Sequence, residues 1–224
     1  MKIIQKYIEQ VLLEQDKYFK TASESDYAIM LFQRGAVYNC ILYDTNDVEA
    51  LIHNQDFNSN AVVNPVVAYV SFLPNQHNKC HNGAEVLMSA ARKDSKMGIV
   101  AYESALYYAT QQFGGLYADR STPSGSALEV WKKYSERPDV EHLRFDDVEN
   151  PKTPPPNDDC HLASKGKKRL SSFIDNVYRL KEKPSALSSL ESSHEKFINS
   201  GVIKEEEFKK QMKTFASNLF NNVY

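Results

Sequence analysis

The sequence predicts an α/β (α+β) fold, with a mixed central sheet flanked by helices and a helical C-terminal extension. Three observations predict it. Short runs dense in β-branched and aromatic residues, such as PVVAYVSFL over 65–73, alternate with stretches of helical spacing. From residue 85 to 145 that alternation reads strand, helix, strand, helix, strand. A proline-rich stretch then separates this body from three further segments of helical spacing.

Taken in order, Ile3, Ile4, Tyr7, Ile8, Val11 and Leu12 recur at three-to-four-residue intervals, so the first twenty residues form an amphipathic helix with one buried stripe. Tyr27 to Phe32 and Val37 to Tyr43 are β-rich, and Gly35 between them can supply the positive φ of a tight hairpin connection. A short helical or loop stretch follows at Asp47 to His53, then the buried strand Pro65 to Leu73. Glu85 to Ala91 is the next strand, Arg92 to Met97 a polar loop, and Gly98 to Gln112 a helix stopped by Gly114 and Gly115. Leu116 to Asp119 is a short strand. Ser124, standing after Pro123, caps a helix that runs to about Tyr134, and Val140 to Phe145 is a last strand.

Asn150 to Asp159 holds four prolines and nothing that could anchor a core, which makes it extended. The expected division is therefore a domain over 1–149, a Pro-rich linker or arm over 150–168, and a helical extension over 169–224. Within that extension Arg169 to Lys181, Ala186 to Ile198 and Lys204 to Asn222 have helical spacing, broken at Pro184 and Gly201. Phe208, Met212, Phe215, Leu219 and Phe220 lie on one face of the last segment and need a partner surface, either the domain itself or another subunit.

Composition excludes several function classes. With 42% hydrophobic and 25% charged residues the chain reads as globular, and no apolar run reaches the roughly 20 residues of a membrane span. Its N-terminus lacks the unbroken apolar core of a signal peptide, and three scattered cysteines do not make a disulfide framework, so a reducing cytoplasm is the expected location. The net charge of −2 gives no global pull toward nucleic acid. Lys165, Lys167, Lys168 and Arg169 could touch phosphates, but the cluster reads as a solvated loop and helix start. His77, Cys80 and His81, with Cys160 and His161, offer zinc-ligand types. The adjacent Cys80 and His81 point apart and no C-x-x-C is present, so no metal is expected.

The chemistry concentrates where the strand at 85–91 runs through a polar loop into a helix. Such a junction aims unpaired amides and the positive end of a helix dipole at one place, an environment suited to pyrophosphate, and Lys93 and Lys96 add charge. The stretch from Ala84 to Tyr134 resembles the GNAT superfamily of acyl-CoA N-acyltransferases. Lys93, Asp94, Ser95, Lys96, Met97 and Gly98 occupy the register of its R/Q-x-x-G-x-G/A loop, with Gly98 as the final glycine and Lys96 where the first one stands. LYADRSTPSGSALEVWKKY resembles its second strand and helix, with Ser124, Ala127 and Val130 in the places of asparagine, alanine and leucine. MGIVAYESALYYAT followed by GGLYADRSTPSGSALEVWKKYSERPDV is similar to GNAT-like proteins of tailed phages, which implies a host cytoplasm or a virion as location.

The resemblance implies acetyl-CoA or another acyl-CoA as cofactor and direct transfer of the acyl group to an amine acceptor that it does not identify. Met88, residues 93–98 and Ile99 are the implied cofactor-binding positions, with a backbone amide near Met88 holding the thioester carbonyl. Glu85 is the candidate base. Trp131 takes the place of the tyrosine that serves the family as general acid, which leaves Tyr134, three residues on, as the candidate acid. Asp119 and Arg120 are candidate substrate contacts, or pair with each other or the backbone. The alternative is a non-catalytic GNAT-like phage structural or interaction protein that docks, or self-associates, through 169–224.

Overall fold

The computed structural model describes residues 17–22, 26–58, 61, 63–74, 83–93, 95–119, 124–144 and 172–223. Among them are seven strands, β1 (Tyr27–Arg34), β2 (Val37–Asp44), β3 (Val66–Pro74), β4 (Ala84–Ala91), β5 (Leu116–Tyr117), β6 (Val140–Arg144) and β7 (Asn176–Leu180). The helices are α1 (Thr45–His53), α2 (Gly98–Phe113), α3 (Gly125–Glu136), α4 (Leu187–Asn199) and α5 (Glu205–Val223), with one 3-10 turn at Ser172–Asp175. The strands are hydrogen-bonded in the order β1-β2-β3-β4-β5-β7-β6. The sheet is mixed, because β4 and β5 are parallel while β1–β2, β5–β7 and β6–β7 are antiparallel. The α/β class expected from the alternation is the class observed.

Local chemistry accounts for the element ends. Gly35, at φ +61°, closes the hairpin that pairs Arg34 with Val37. The Asp44 carboxylate accepts from the amides of Asn46 (3.0 Å) and Asp47 (3.2 Å) and so starts α1. Ser124 caps α3 by accepting from the Ala127 amide at 3.2 Å. At the end of α2 the amides of Gly114 and Gly115 bond back to the carbonyls of Thr110 and Ala109. Both glycines have positive φ there.

The described chain forms two compact units. One is drawn from residues of Met1–Ser71, Met88–Ser104 and Pro184–Tyr224, the other from Phe72–Leu87 and Ala105–Lys183. In the first, α5 buries Phe208, Met212, Phe215 and Leu219 in one cluster with Phe197 of α4, Tyr43 of β2 and Tyr69 of β3. The stripe expected over 204–222 thus finds its partner within its own unit, with Phe220 half-buried beside it. Aromatic contacts run through this cluster. The Phe208 ring lies 5.3 Å from Tyr43, 5.4 Å from Phe197 and 5.8 Å from Phe57. In the second unit Trp131 and Tyr134 of α3 pack with Tyr178 of β7, ring centroids 5.3–6.0 Å apart.

One element is corrected. The segment Arg169 to Lys181 has helical spacing, yet its described part is a 3-10 turn followed by the strand β7. Ile174 and Tyr178 are spaced for either structure, and pairing decides. β7 bonds to β5 at Leu116↔Tyr178 and to all five residues of β6. Those ladder bonds outweigh a local preference of a few tenths of a kcal/mol per residue. The C-terminal residues are therefore not uniformly helical. Nor do the compact units follow the division expected at 150–168, because residues before and after that stretch share each unit. The stretch itself lies outside the described residues, as do residues 1–16 of the expected first helix, of which 17–22 are helical. No helix among the described residues is long and apolar enough to cross a membrane.

Candidate functional site

β4 presents two faces with different neighbours. Met88 and Ala90 pack against the core of the first unit. Ser89 accepts a hydrogen bond from the Tyr102 hydroxyl of α2 at 2.8 Å, and a Cβ placed on Gly98 would lie 3.1 Å from that of Ala91. Nearer its start, Glu85 is half-buried and Leu87 exposed. Its ladder with β5 spans only Ala84↔Leu116 and Glu85↔Tyr117, while β4 continues to Ala91.

The loop from β4 to α2 is tied down from beneath. The Arg92 amide donates to the Val67 carbonyl at 2.7 Å, and its guanidinium donates to the Asn64 carbonyl (2.6 Å) and the Asp47 carboxylate (3.2 Å). Asn64 in turn donates to the Phe215 carbonyl of α5 at 2.8 Å. Ser95 staples the other end: its hydroxyl donates to the Arg92 carbonyl (2.7 Å) and accepts from the Met97 amide (3.3 Å). Lys93 and Lys96 are left exposed on this fixed base, Met97 is buried, and Gly98 and Ile99 are half-buried in the first turn of α2.

Lys96 is the unusual residue of the loop. Its φ is +56°, in the left-handed region that glycine adopts freely and that costs an L-residue with a side chain about 1 kcal/mol. The position at which the resemblance expects glycine thus has the backbone of a glycine and the side chain of a lysine. Lys96→Gly is expected to raise the stability of the first unit by about 1 kcal/mol, a shift of roughly 3 °C in thermal midpoint. An unchanged or lowered midpoint would show that the position carries no strain.

The other expected site residues belong to the second unit or lie outside the described residues. Glu85 is half-buried opposite Tyr117 in the second unit. Tyr134 is 1% exposed, ringed by Trp131 and Tyr178, with the Arg137 guanidinium 5.4 Å from its ring centre. Arg137 is itself buried and holds Asp139 with two nitrogens, so this end of α3 is a packed assembly. Asp119 is half-buried beyond the end of β5, shorter than the strand expected there. Arg120 and Asp94 lie outside the described residues, as do His77, Cys80, His81, Cys160 and His161. Among the described residues no cluster of three or more His, Cys, Asp and Glu could hold a metal ion. Cys40 is buried, and that burial, with Glu191 nearby, pushes its thiol up and away from nucleophilic use.

No protein-family model, curated protein or solved structure matches the chain. The site is therefore read from its own geometry. Sequence reasoning missed the clamp made by Arg92 and Asn64. Its partners stand 45 and 28 residues before Arg92 and 151 residues after Asn64, beyond any local pattern.

Proposed function

We propose that the chain is an acyl-CoA-dependent N-acyltransferase of GNAT type, which moves an acetyl or related group to an amine by direct transfer. The single observation that carries this reading is the left-handed backbone at Lys96, two residues before Gly98, at the β4–α2 junction. A sequence that departs from the family's glycine keeps the glycine's conformation there. The strand directions add support, because a parallel β4–β5 pair that ends after two residues leaves the rest of β4 outside that ladder. In this reading the pantetheine arm pairs with β4 beyond Glu85, and the Met88 amide holds the thioester carbonyl.

The residues present fit a pyrophosphate. Gly98 brings no side chain to the first turn of α2, Lys93 and Lys96 are exposed cations beside it, and the helix dipole favours negative charge. The bound thioester supplies an activated acyl group. The chain would fix its position and donate a hydrogen bond to the carbonyl oxygen as charge builds there; the amine nitrogen would bond to the acyl carbon as the carbon–sulfur bond breaks, the amine's proton passing to solvent and the thiolate leaving with the coenzyme. Tyr134 serves packing in the arrangement described, as does Trp131 in the family's tyrosine place.

A second reading is favoured by that same packing. With Trp131 and Tyr134 each 1% exposed, and Met97 and Tyr102 each 6% exposed, the chain can be a non-catalytic GNAT-like phage structural or interaction protein. Calorimetric titration with acetyl-CoA separates the two. The enzyme reading predicts saturable binding that Gly98→Glu abolishes through its negative charge, and, because a Cβ at this position also meets Ala91 at 3.1 Å, the loss counts when the variant keeps the wild-type circular dichroism spectrum. Absence of wild-type binding at millimolar ligand favours the scaffold.

A further inference from the structure

We propose that His194 is an acid-sensitive latch on α4. In its neutral form the ring accepts a hydrogen bond from Tyr43 and lies among aromatic side chains of the first unit, and in its protonated form it releases the helix. The hydroxyl of Tyr43, on β2, lies 2.8 Å from His194 Nδ1. The imidazole meets the Tyr43 ring edge-on at 6.0 Å and tilts against Phe208 of α5, also at 6.0 Å. One turn further along α4, Phe197 is buried against the same two rings, at 6.2 Å from Tyr43 and 5.4 Å from Phe208. His194 is thus the polar end of an aromatic seam that fixes α4 to β2 and α5.

The seam suits a neutral ring and not a charged one. The Tyr43 phenol, its pKa pushed up by burial, stays protonated and can donate to Nδ1, and in that arrangement the neutral ring carries its own proton on Nε2. A second proton can go only to Nδ1, where it removes the acceptor and brings charge among apolar rings.

The charged groups around it act in both directions. From α5, Glu205 favours the cation and Lys209 opposes it, and these two pair with each other at 2.7 Å. Lys209 also reaches Glu206 at 3.2 Å, so its ammonium is held at that end of the helix. On α4 itself Glu191 stands one turn earlier, and Glu195 and Lys196 are adjacent and exposed. β1, which also packs on α4, has Tyr27 and Arg34 as its titratable residues, one at each end. From β2 the facing group is Tyr43. Burial wins: it holds the His194 pKa down, to about 4, against the pull of Glu205 and with the help of Lys209.

The sign follows from linkage. A histidine whose folded pKa lies below its unfolded value of 6.5 gives its full stabilisation above pH 6.5, and loses it as the pH falls through 4. Opening of α4 exposes the ring to its ordinary titration. The closed state therefore weakens by up to tenfold per pH unit across that window, about a hundredfold in all once the ring's partial exposure is allowed for.

The test uses the full chain. The ring proton of His194 is followed by NMR from pH 7.5 to 3.5, amide-exchange protection of 187–199 is measured at each pH, and emission of Trp131, the sole tryptophan, is recorded alongside. The expected result is a ring midpoint near 4, α4 protection falling with a one-proton slope, and steady Trp131 emission. In His194→Gln the α4 slope should be flat. A ring that titrates at 6.5, flat α4 protection in the wild type, the same slope in the variant, or Trp131 emission changing with the α4 midpoint would each overturn the latch. If the variant fails to fold, the wild-type ring midpoint and α4 slope decide the question without it.

Discussion

Gly115→Ala is expected to destabilise the second unit by about 4 kcal/mol, read as a fall of roughly 20 °C in the thermal transition followed by Trp131 emission. A Cβ at this position would stand 2.4 Å from Val177 Cγ1 and 2.7 Å from the Tyr178 carbonyl oxygen. The second contact is with backbone in the strand that pairs with β5, so the neighbour cannot turn aside as a side-chain tip could. The backbone adds its own cost, since φ is +144°, a value that residues with a Cβ rarely adopt. The residue also donates its amide to Ala109 and lends its carbonyl to the Ala84 amide at 2.9 Å, so a shift to relieve the clash would break the start of β4. A change below 1 kcal/mol would mean that β7 does not lie against this turn.

The second large effect is expected for Phe208→Ala, at about 4 kcal/mol on the first unit. Phe208 is fully buried and its ring meets those of Tyr43, Phe57, Phe197 and His194. These come from β2, the segment after α1, and α4, so the ring joins parts of the chain about 150 residues apart. Those neighbours stand on separate elements and cannot collapse together into the space, so the cavity persists and the loss exceeds simple transfer of the side chain. Chemical denaturation followed by far-ultraviolet circular dichroism measures it. A loss under about 1.5 kcal/mol would indicate that α5 does not pack on the hairpin.

Where local chemistry determines structure, the sequence was legible. Gly35, Gly114 with Gly115, and Ser124 sit at turns and caps that their own side chains, or lack of one, demand, whereas the Asp44 cap of α1 was not read. The strand–loop–helix at 85–98 is found with its loop at the bounds expected and its strand one residue longer at the start. Asn176–Leu180 was not legible, because four of its five residues are buried through pairing with strands distant in sequence, and the spacing of Ile174, Val177 and Tyr178 satisfies a helix as well. The destination of α5 was half legible. Its apolar stripe showed that a partner was needed, but not that β2, β3 and α4 would supply it.

The candidate site divides in the same way. Gly98, Lys93 and Lys96 were visible because glycine and charge at a helix start have local meaning. The left-handed backbone of Lys96 was not, since lysine carries no preference for it. Tyr134 was read from its spacing along α3, and spacing alone does not show that Tyr178, Trp131 and Arg137 enclose it.

The most direct test of an acyl-CoA site on β4 and the α2 junction is amide chemical-shift mapping of the full chain titrated with acetyl-CoA. Saturating shifts at Met88, Lys93, Lys96, Gly98 and Ile99, absent in Gly98→Glu, are the predicted result. No shift at millimolar acetyl-CoA, or saturating shifts confined to other parts of the chain, would contradict it.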